Sequence, residues 1–528
     1  MTQAAEPDFA SIVARTARSY DALPYTSNPF PNTHPSLLGA IARLFALEAA
    51  PLDEARVLEL GCASGGNIIP LAARHASASF VGIDLSEAQI EMGRARVARL
   101  NLSNIALRCR SFAENEKGEA GFDYVICHGV YSWVPKPLRE AILRICRENL
   151  SPRGVALVSY NVLPGWRMLQ AVRDCLVLHT TAHADPAARV AAARALLRDL
   201  PRASSDSGPF KDLLGSEAVR LLALSDDYLA HEFLDDVNEP CSFREFAGAA
   251  RLNGLAYLGE AELPSMILAS YPAAAAEFVR HAAGNQLLET EQYIDIVSGR
   301  SFRHTLLVGA ERAAGIGRTL SNECVEALHF VGATGLAFAR EADGVTLGAP
   351  AGRRLHTASA LLADALAHFA GACPGSSSVD DLVGALPAAA RTADSRALVR
   401  ECLLNMALNG LAAPRLDPVP AAPRVADKPL ACPFARAEAA SGAASVVNLR
   451  HERVDLEGLA QVVLPLLDGS RDAQAIAAAI GGDGRLVIMR NGQPIDDPAE
   501  RRSIATNRLR MLLPELARAA LLIAPRRP

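Results

Sequence analysis

The stretch Arg56-Val57-Leu58-Glu59-Leu60-Gly61-Cys62-Ala63-Ser64-Gly65-Gly66-Asn67 constrains this chain more than any other. Val57, Leu58 and Leu60 make a buried strand, the glycines break it, and Ile68, Ile69, Leu71 and Ala72 resume as an apolar helix. Glycines at a strand-to-helix turn let the backbone approach a ligand closely. The helix start beyond them favours polar or anionic groups. Gly61, Ala63 and Gly66 also fit a relaxed dinucleotide fingerprint, so the turn alone does not choose its ligand.

Two acids do. Glu59 lies two positions before the first glycine, at the carboxyl end of the strand. A carboxylate there repels a pyrophosphate and suits a ligand carrying an ammonium and a sulfonium. A second strand, Ser79-Phe80-Val81-Gly82-Ile83, ends in Asp84, where an acid accepts hydrogen bonds from ribose hydroxyls. Glu59 with Asp84 therefore points to S-adenosyl-L-methionine rather than a nicotinamide dinucleotide. A turn that merely packs a helix on a sheet would require neither acid. The candidate cofactor residues are Glu59, Gly61, Cys62, Ala63, Gly65, Asn67, Asp84, Leu85 and His128.

The alternation continues. A helical stretch from Ser86 to Leu100 is followed by a strand at Ile105–Cys109 and a loop from Ser111 to Ala120. Phe122–Cys127 is a fourth strand, Lys136–Asn149 a helix, and Ser151–Gly154 a turn into the strand Val155–Tyr160. Such alternation predicts an α/β fold with a doubly wound, mostly parallel Rossmann-like sheet, whose ligand sits off the carboxyl ends of the strands. Those ends are Gly61, Asp84, His128 and Tyr160.

Domain expectations follow from changes in pattern. Residues 1–50 read as an N-terminal lid and helical segment, and 51–167 as the cofactor-binding core. Residues 168–312 read as a helical insert or regulatory region, with 254–308 completing the core sheet. A mostly helical, winged-helix-like module is expected over 313–415. A Pro/Ala linker spans 416–436 and a C-terminal α+β module 437–528, with an Asn491-Gly492 hairpin turn.

Composition excludes several classes. At 528 residues the chain is too long for one core. Half of it is apolar, yet no run approaches a membrane span, and the first 20 residues carry Glu6, Asp8, Arg15 and Arg18 instead of an apolar signal core. Ten scattered cysteines without CxxC or zinc spacing fit a reduced cytoplasmic protein with no metal. A net charge of −5 without a dense basic run weighs against nucleic acid. Lys117, Lys136, Lys211 and Lys428 are the only lysines. Codon bias explains this, although an enzyme that modifies lysine would gain from the same avoidance.

Aromatic residues cluster after the core strands. Trp133 lies in His128-Gly129-Val130-Tyr131-Ser132-Trp133-Val134-Pro135, and Trp166 in Ser159-Tyr160-Asn161-Val162-Leu163-Pro164-Gly165-Trp166. Loops at that edge bind substrate, and aromatic faces attract a methylsulfonium or an alkylammonium. The alternative is that both tryptophans plug the gap between core and insert. His128, Tyr131, Trp133 and Tyr160 are the catalytic candidates. Tyr25 and His34, in the Pro- and Asn-rich segment Tyr20–Pro35, join Trp166 as candidate acceptor contacts.

The strings YDALPYTSNPFPNTHP, VLELGCASGGN, HGVYSWVP, VSYNVLPGW, EQYIDIVSGRSFRHTLLV and NLRHERV resemble bacterial methyltransferases that carry a methyltransferase regulatory domain. That group includes lysine methyltransferases acting on rickettsial outer-membrane proteins. The resemblance implies a class I S-adenosyl-L-methionine fold, a helical middle region and C-terminal domains that present a protein substrate. Ala63 departs from the glycine often found there, and its methyl is expected to be accommodated by a negative φ. The expected function is methyl transfer to a protein side chain, lysine first. A small-molecule or RNA methyltransferase and a non-catalytic cofactor-binding regulator stay open. A homodimer is one of the oligomeric states left open.

Overall fold

The computed structural model describes residues 21, 24–112, 120–204, 208–235, 237–320, 322–481, 489–490, 493–495 and 497–525. It divides into two compact units. The first comprises Met1–Asn28, Ala55–Ala72 and Ser77–Ala314, and the second Pro29–Glu54, Ala73–Ala76 and Gly315–Pro528.

The first unit is built on an eight-stranded sheet. Its strands are β1 (Arg56–Leu60), β2 (Ser79–Asp84), β3 (Ile105–Cys109), β4 (Phe122–Cys127), β5 (Leu150–Leu163), β6 (Cys241–Ser242), β7 (Leu255–Glu260) and β8 (Phe302–Gly309). They run in the order β3-β2-β1-β4-β5-β8-β7, with β6 pairing the end of β5. Strands β1 to β5 pair in parallel, and β8 is antiparallel to both β5 and β7. All six residues of β4 are buried, as the central strand of a sheet covered on both faces requires. Strand order reverses between β1 and β4, so the crevice for a ligand opens beside the carboxyl ends of β1, β2 and β4.

The turn expected at Ser151–Gly154 lies inside β5. Phe122 pairs with Leu150 but Tyr124 with Val155, so the extra residues form a bulge rather than a break. Pro152 has no N–H for a ladder and is confined to such an irregularity.

Helices Trp166–Thr180, Pro186–Ala203, Pro209–Leu222 and Asp226–Phe233 share their own apolar core, including Leu176, Val190, Leu197, Leu221 and Phe233. Between β7 and β8 stand the helices Ala273–Ala283 and Leu287–Ser298. There Arg303, fully buried, donates to Glu260, Glu291 and Asp295 at 2.6, 3.1 and 2.8 Å.

In the second unit, His329–Gly332 is the central strand between Ser376–Ser378 and Ala412–Arg415. A second three-stranded sheet (Ala337–Glu341, Gly344–Gly348, Arg354–Thr357) and helices Ala360–Ala372, Val379–Gly384 and Ala393–Leu408 complete the region 313–415. The Pro/Ala stretch read as a linker is packed in place. Ala421, Ala422, Ala431 and Cys432 are buried, and bridges join Ala421 to Ile523, Leu430 to Asp468 and Ala431 to Leu522. Small side chains let the backbone lie close to its neighbours, and prolines are tolerated where a ladder bond is not needed. Farther on, Met489–Arg490 pairs with Gln493–Pro494, while the Asn491-Gly492 turn lies outside the described residues. Among the described residues, no helix is long and apolar enough to cross a membrane.

Candidate active site

The turn after β1 has a backbone that only particular residues adopt. Gly61 sits at φ +76°, and a Cβ there would lie 2.3 Å from Val130 Cγ2. Its N–H and that of Cys62 donate to the Ile83 carbonyl at 2.8 and 3.1 Å, which holds the turn onto β2. Ala63 has φ +49°, against the negative φ expected from sequence. The reason is tertiary: in this conformation its N–H donates to Asp84 Oδ2 at 2.8 Å. An alanine held left-handed costs roughly 1–2 kcal/mol relative to the right-handed form. Gly65 is also left-handed, at φ +77°. Cys62 is buried, its thiol pushed up by burial and then by Asp84 and Glu59, and it packs beside Gly82 as an apolar group.

Asp84 also accepts from the Ser86 N–H at 3.0 Å through Oδ1. Burial pushes its carboxyl up, opposed by these backbone bonds, including one from Leu85. Each carboxylate oxygen has a second lone pair, so the acid can still receive a ribose hydroxyl. Glu59 differs. Its Oε1 accepts from Asn67 Nδ2 at 2.7 Å. Oε2 is buried with no hydrogen-bond partner among the described residues. Burial pushes this carboxyl up to about 7, with the Asn67 bond opposing and Asp84 adding. A buried acceptor without a donor fits the ammonium of a methionine moiety.

The segment before the second unit lies on the turn. Ser27 Oγ accepts from the Gly66 N–H at 2.7 Å, and a Cβ on Gly66 would meet the Ser27 carbonyl oxygen at 2.2 Å. The Tyr25 carbonyl accepts from Gln89 Nε2 at 2.9 Å, and the Thr26 N–H donates to Asp227 Oδ2 at 2.7 Å. From Pro29 onward the chain belongs to the second unit. His34, one of the sequence candidates, is buried there. Its Nδ1 accepts from the Ser36 N–H at 3.2 Å, and its ring meets His451 edge-on at 5.3 Å.

At the carboxyl end of β4 the candidates take different places. His128 stacks on His304 at 5.2 Å and 10°, with Phe302 edge-on at 6.0 Å. Burial, then the charge of His304, hold it well below the usual histidine range, so it is neutral at pH 7. Tyr131, Ser132 and Trp133 form a buried single turn. The Tyr131 ring packs on Phe246 at 5.3 Å and on Tyr160 at 6.1 Å, with the Arg139 guanidinium 5.6 Å from its centroid. Tyr160 stacks on Phe246 at 4.1 Å, and its hydroxyl meets Thr305 Oγ1 at 3.1 Å. Burial pushes both phenols up, so neither is a ready base. Trp133 meets Trp166 edge-to-face at 6.4 Å, and both are buried.

Sequence reading missed several groups. Ser159 Oγ accepts from the Gly129 N–H at 2.8 Å, and Ser132 Oγ from the Asn161 N–H at 2.8 Å, stitching the loops after β4 and β5. Asn161 is 1% exposed, and its Nδ2 has no hydrogen-bond partner among the described residues. Its place in the string VSYNVLPGW was the available signal. Nothing local marked His304, which faces Ser159 only through strand register. In the second unit, Glu341, Asp343 and His356 could converge on a cation, but all three are exposed, and such groups are common without one.

Residues 57–154 match the methyltransferase domain family, 225–309 the predicted methyltransferase regulatory domain, and 427–521 the C-terminal winged helix domain of PKMT. The winged-helix match begins within the stretch expected as a linker and runs through most of the expected C-terminal α+β module. The chain is 31% identical to the uncharacterized protein RP789 of Rickettsia prowazekii over 521 residues, 96% of this chain and 93% of that one. It is similar in structure to PKMT2 from Rickettsia typhi, solved in complex with AdoHcy. The TM-score is 0.82 at 25% identity, covering 95% of this chain and 100% of that one. A ubiquinone biosynthesis O-methyltransferase of Acinetobacter baumannii is 32% identical over 107 residues, 20% of this chain and 44% of that one.

Proposed function

Because the chain belongs to the methyltransferases that carry a regulatory domain and a PKMT-type winged helix, we propose that its acceptor is a lysine side chain of another protein. Its methyl donor is S-adenosyl-L-methionine, which supplies an electrophilic methyl on sulfonium. The observation that carries the lysine reading is that the likeness to PKMT2 runs through core, regulatory region and winged helix alike. A large non-catalytic half suits a macromolecular acceptor better than a metabolite. The resemblance of the sequence motifs to lysine methyltransferases points the same way.

The residues divide the work as follows. The Glu59 carboxylate, with Asn67 fixing its rotamer, would receive the ammonium of the donor. Asp84 would hold the ribose, and the backbone of Gly61, Ala63 and Gly65 would shape the floor. Transfer is an in-line displacement, so holding donor and acceptor in line supplies much of the rate. The acceptor must arrive as a free amine. Removing the proton from a lysine at pH 7, against a reference near 10.4, costs about 4.6 kcal/mol. His128, kept neutral by burial at the end of β4, would accept a hydrogen bond from the amine, and because a ring held so far below the usual histidine range is a weak base, the proton leaves to water. Tyr131 and Trp133 support the wall around it from the buried side.

The test is to incubate the full chain with methyl-labelled cofactor and a bacterial lysate, then separate protein, RNA and small molecules. Label in protein, recovered as methyllysine after hydrolysis, is the expected result. Label confined to RNA or to small molecules would overturn the reading. The second outcome would favour a small acceptor, in line with the core's likeness to ubiquinone O-methyltransferases.

A further inference from the structure

The helix Asp226–Phe233 carries Tyr228, His231 and Glu232 at spacings of three and four residues, so all three share one face. That face meets Tyr25. The Tyr25 and Tyr228 rings lie 6.2 Å apart at 39°, and Tyr25 meets His231 at 5.9 Å and 63°. Glu232 makes no hydrogen bond or ion pair among the described residues. The nearby guanidinium of Arg220 is bonded to Glu217 instead, at 2.6 Å. Burial, then Asp235, push the Glu232 carboxyl up to about 7, while Arg220 opposes. Glu232 follows Tyr228 by four residues, so the two side chains are neighbours on the helix face that meets Tyr25, and the phenols of Tyr25 and Tyr228 are pushed up by burial and next by this acid.

Two aromatic rings beside a carboxylate that makes no ion pair are the chemistry that recognises an alkylammonium. The position is tied to the donor site. Two residues beyond Tyr25, Ser27 Oγ takes the Gly66 N–H, and the Tyr25 carbonyl takes Gln89 from the helix after Asp84. Thr26 is fastened in turn to Asp227 on the same helix as Glu232. A structural role for these rings would not require an acid among them whose nearby guanidinium is bonded to another carboxylate.

We propose that Tyr25, Tyr228 and Glu232 form the seat that receives the ammonium of the acceptor lysine before transfer, with Glu232 as the residue that selects lysine. This rests on the lysine reading above and names the groups that would serve it. The seat binds the protonated side chain, which then loses its proton to water before transfer.

The experiment uses the full chain saturated with S-adenosylhomocysteine and two probes, Nα-acetyl-lysine methylamide and Nα-acetyl-norleucine methylamide, titrated by calorimetry. The wild type should prefer the lysine probe by about tenfold or more. Glu232→Gln should abolish the preference, Tyr228→Ala should weaken the lysine probe several-fold, and Tyr228→Phe should leave it near wild type. Affinity for S-adenosylhomocysteine should stay within about twofold in all three, which also reports that they fold. With a methylated lysate protein as substrate, Glu232→Gln should raise KM far more than it lowers kcat. A wild type without preference for lysine over norleucine, or a Glu232→Gln variant that keeps it, overturns the seat. If wild-type enzyme still labels lysines of lysate proteins, the lysine reading survives that failure; absence of methyllysine sinks the reading whatever the calorimetry gives.

Discussion

Replacing Glu59 by glutamine tests the donor site and the reason its acid is buried. The carboxyl is pushed from an ordinary 4.5 to about 7, chiefly by burial. A folded value above the unfolded one means that folding takes up a proton. The ionised acid therefore destabilises the empty protein, fully above about pH 7 and not at all below about pH 4.5. The difference corresponds to about 3 kcal/mol. Glutamine keeps the oxygen that accepts from Asn67 and exchanges an unpartnered buried acceptor for an unpartnered buried donor, so those costs nearly cancel. Glu59→Gln should thus stabilise the empty protein by about 2–3 kcal/mol at pH 8, a rise of about 5–10 °C for a unit of this size. The gain should shrink to nothing as pH falls toward 4.5. The same variant should lose the attraction to the donor's ammonium, so S-adenosyl-L-methionine should bind at least tenfold more weakly, at about 1.4 kcal/mol per tenfold. The assay is thermal unfolding from about pH 4.5 to 8, with and without cofactor. A variant less stable than wild type at pH 8, or one whose melting temperature rises with cofactor as much as wild type's, would refute the reasoning.

Three further outcomes follow from the structure. Ala63→Gly relieves a left-handed alanine at about 1–2 kcal/mol but adds freedom to the unfolded chain, so chemical denaturation should show a net gain of about 0.5–1 kcal/mol with cofactor affinity unchanged; a loss of stability would mean that the methyl makes a needed contact. Arg303→Met strands Glu260, Glu291 and Asp295 without their shared cation, and should cost at least about 3 kcal/mol by the same measurement, least in acid where Glu291 and Asp295 protonate. His34 and His451 are held well below 6.5 by burial first, with Arg415 and Arg74 adding, so the unfolded chain binds more protons and stability falls as pH drops below 6.5. His451→Asn, which tolerates the φ of +65°, should make that acid decline shallower in near-ultraviolet circular dichroism, and an unchanged decline would refute the assignment.

The sequence by itself determined the local chemistry of the proposed donor site. Glu59, the glycine turn and Asp84 lie on two consecutive strands and one short turn, so periodicity and residue type place them without knowledge of the rest. The parallel alternation as far as Tyr160 is legible for the same reason. What only tertiary structure decided is set by contacts between residues far apart in the chain. Ala63 takes a left-handed backbone because Asp84 accepts its N–H across the crevice, a bond no local propensity encodes. His128 owes its neutrality first to burial and then to His304, which strand register brings opposite β5. Tyr131 and Tyr160 turn into the core because Phe246 offers an apolar face. His34 joins His451 more than 400 residues away instead of the donor site. The Pro/Ala stretch reads as a spacer because composition reports flexibility of the free chain, whereas small residues are also those that pack closest once partners exist.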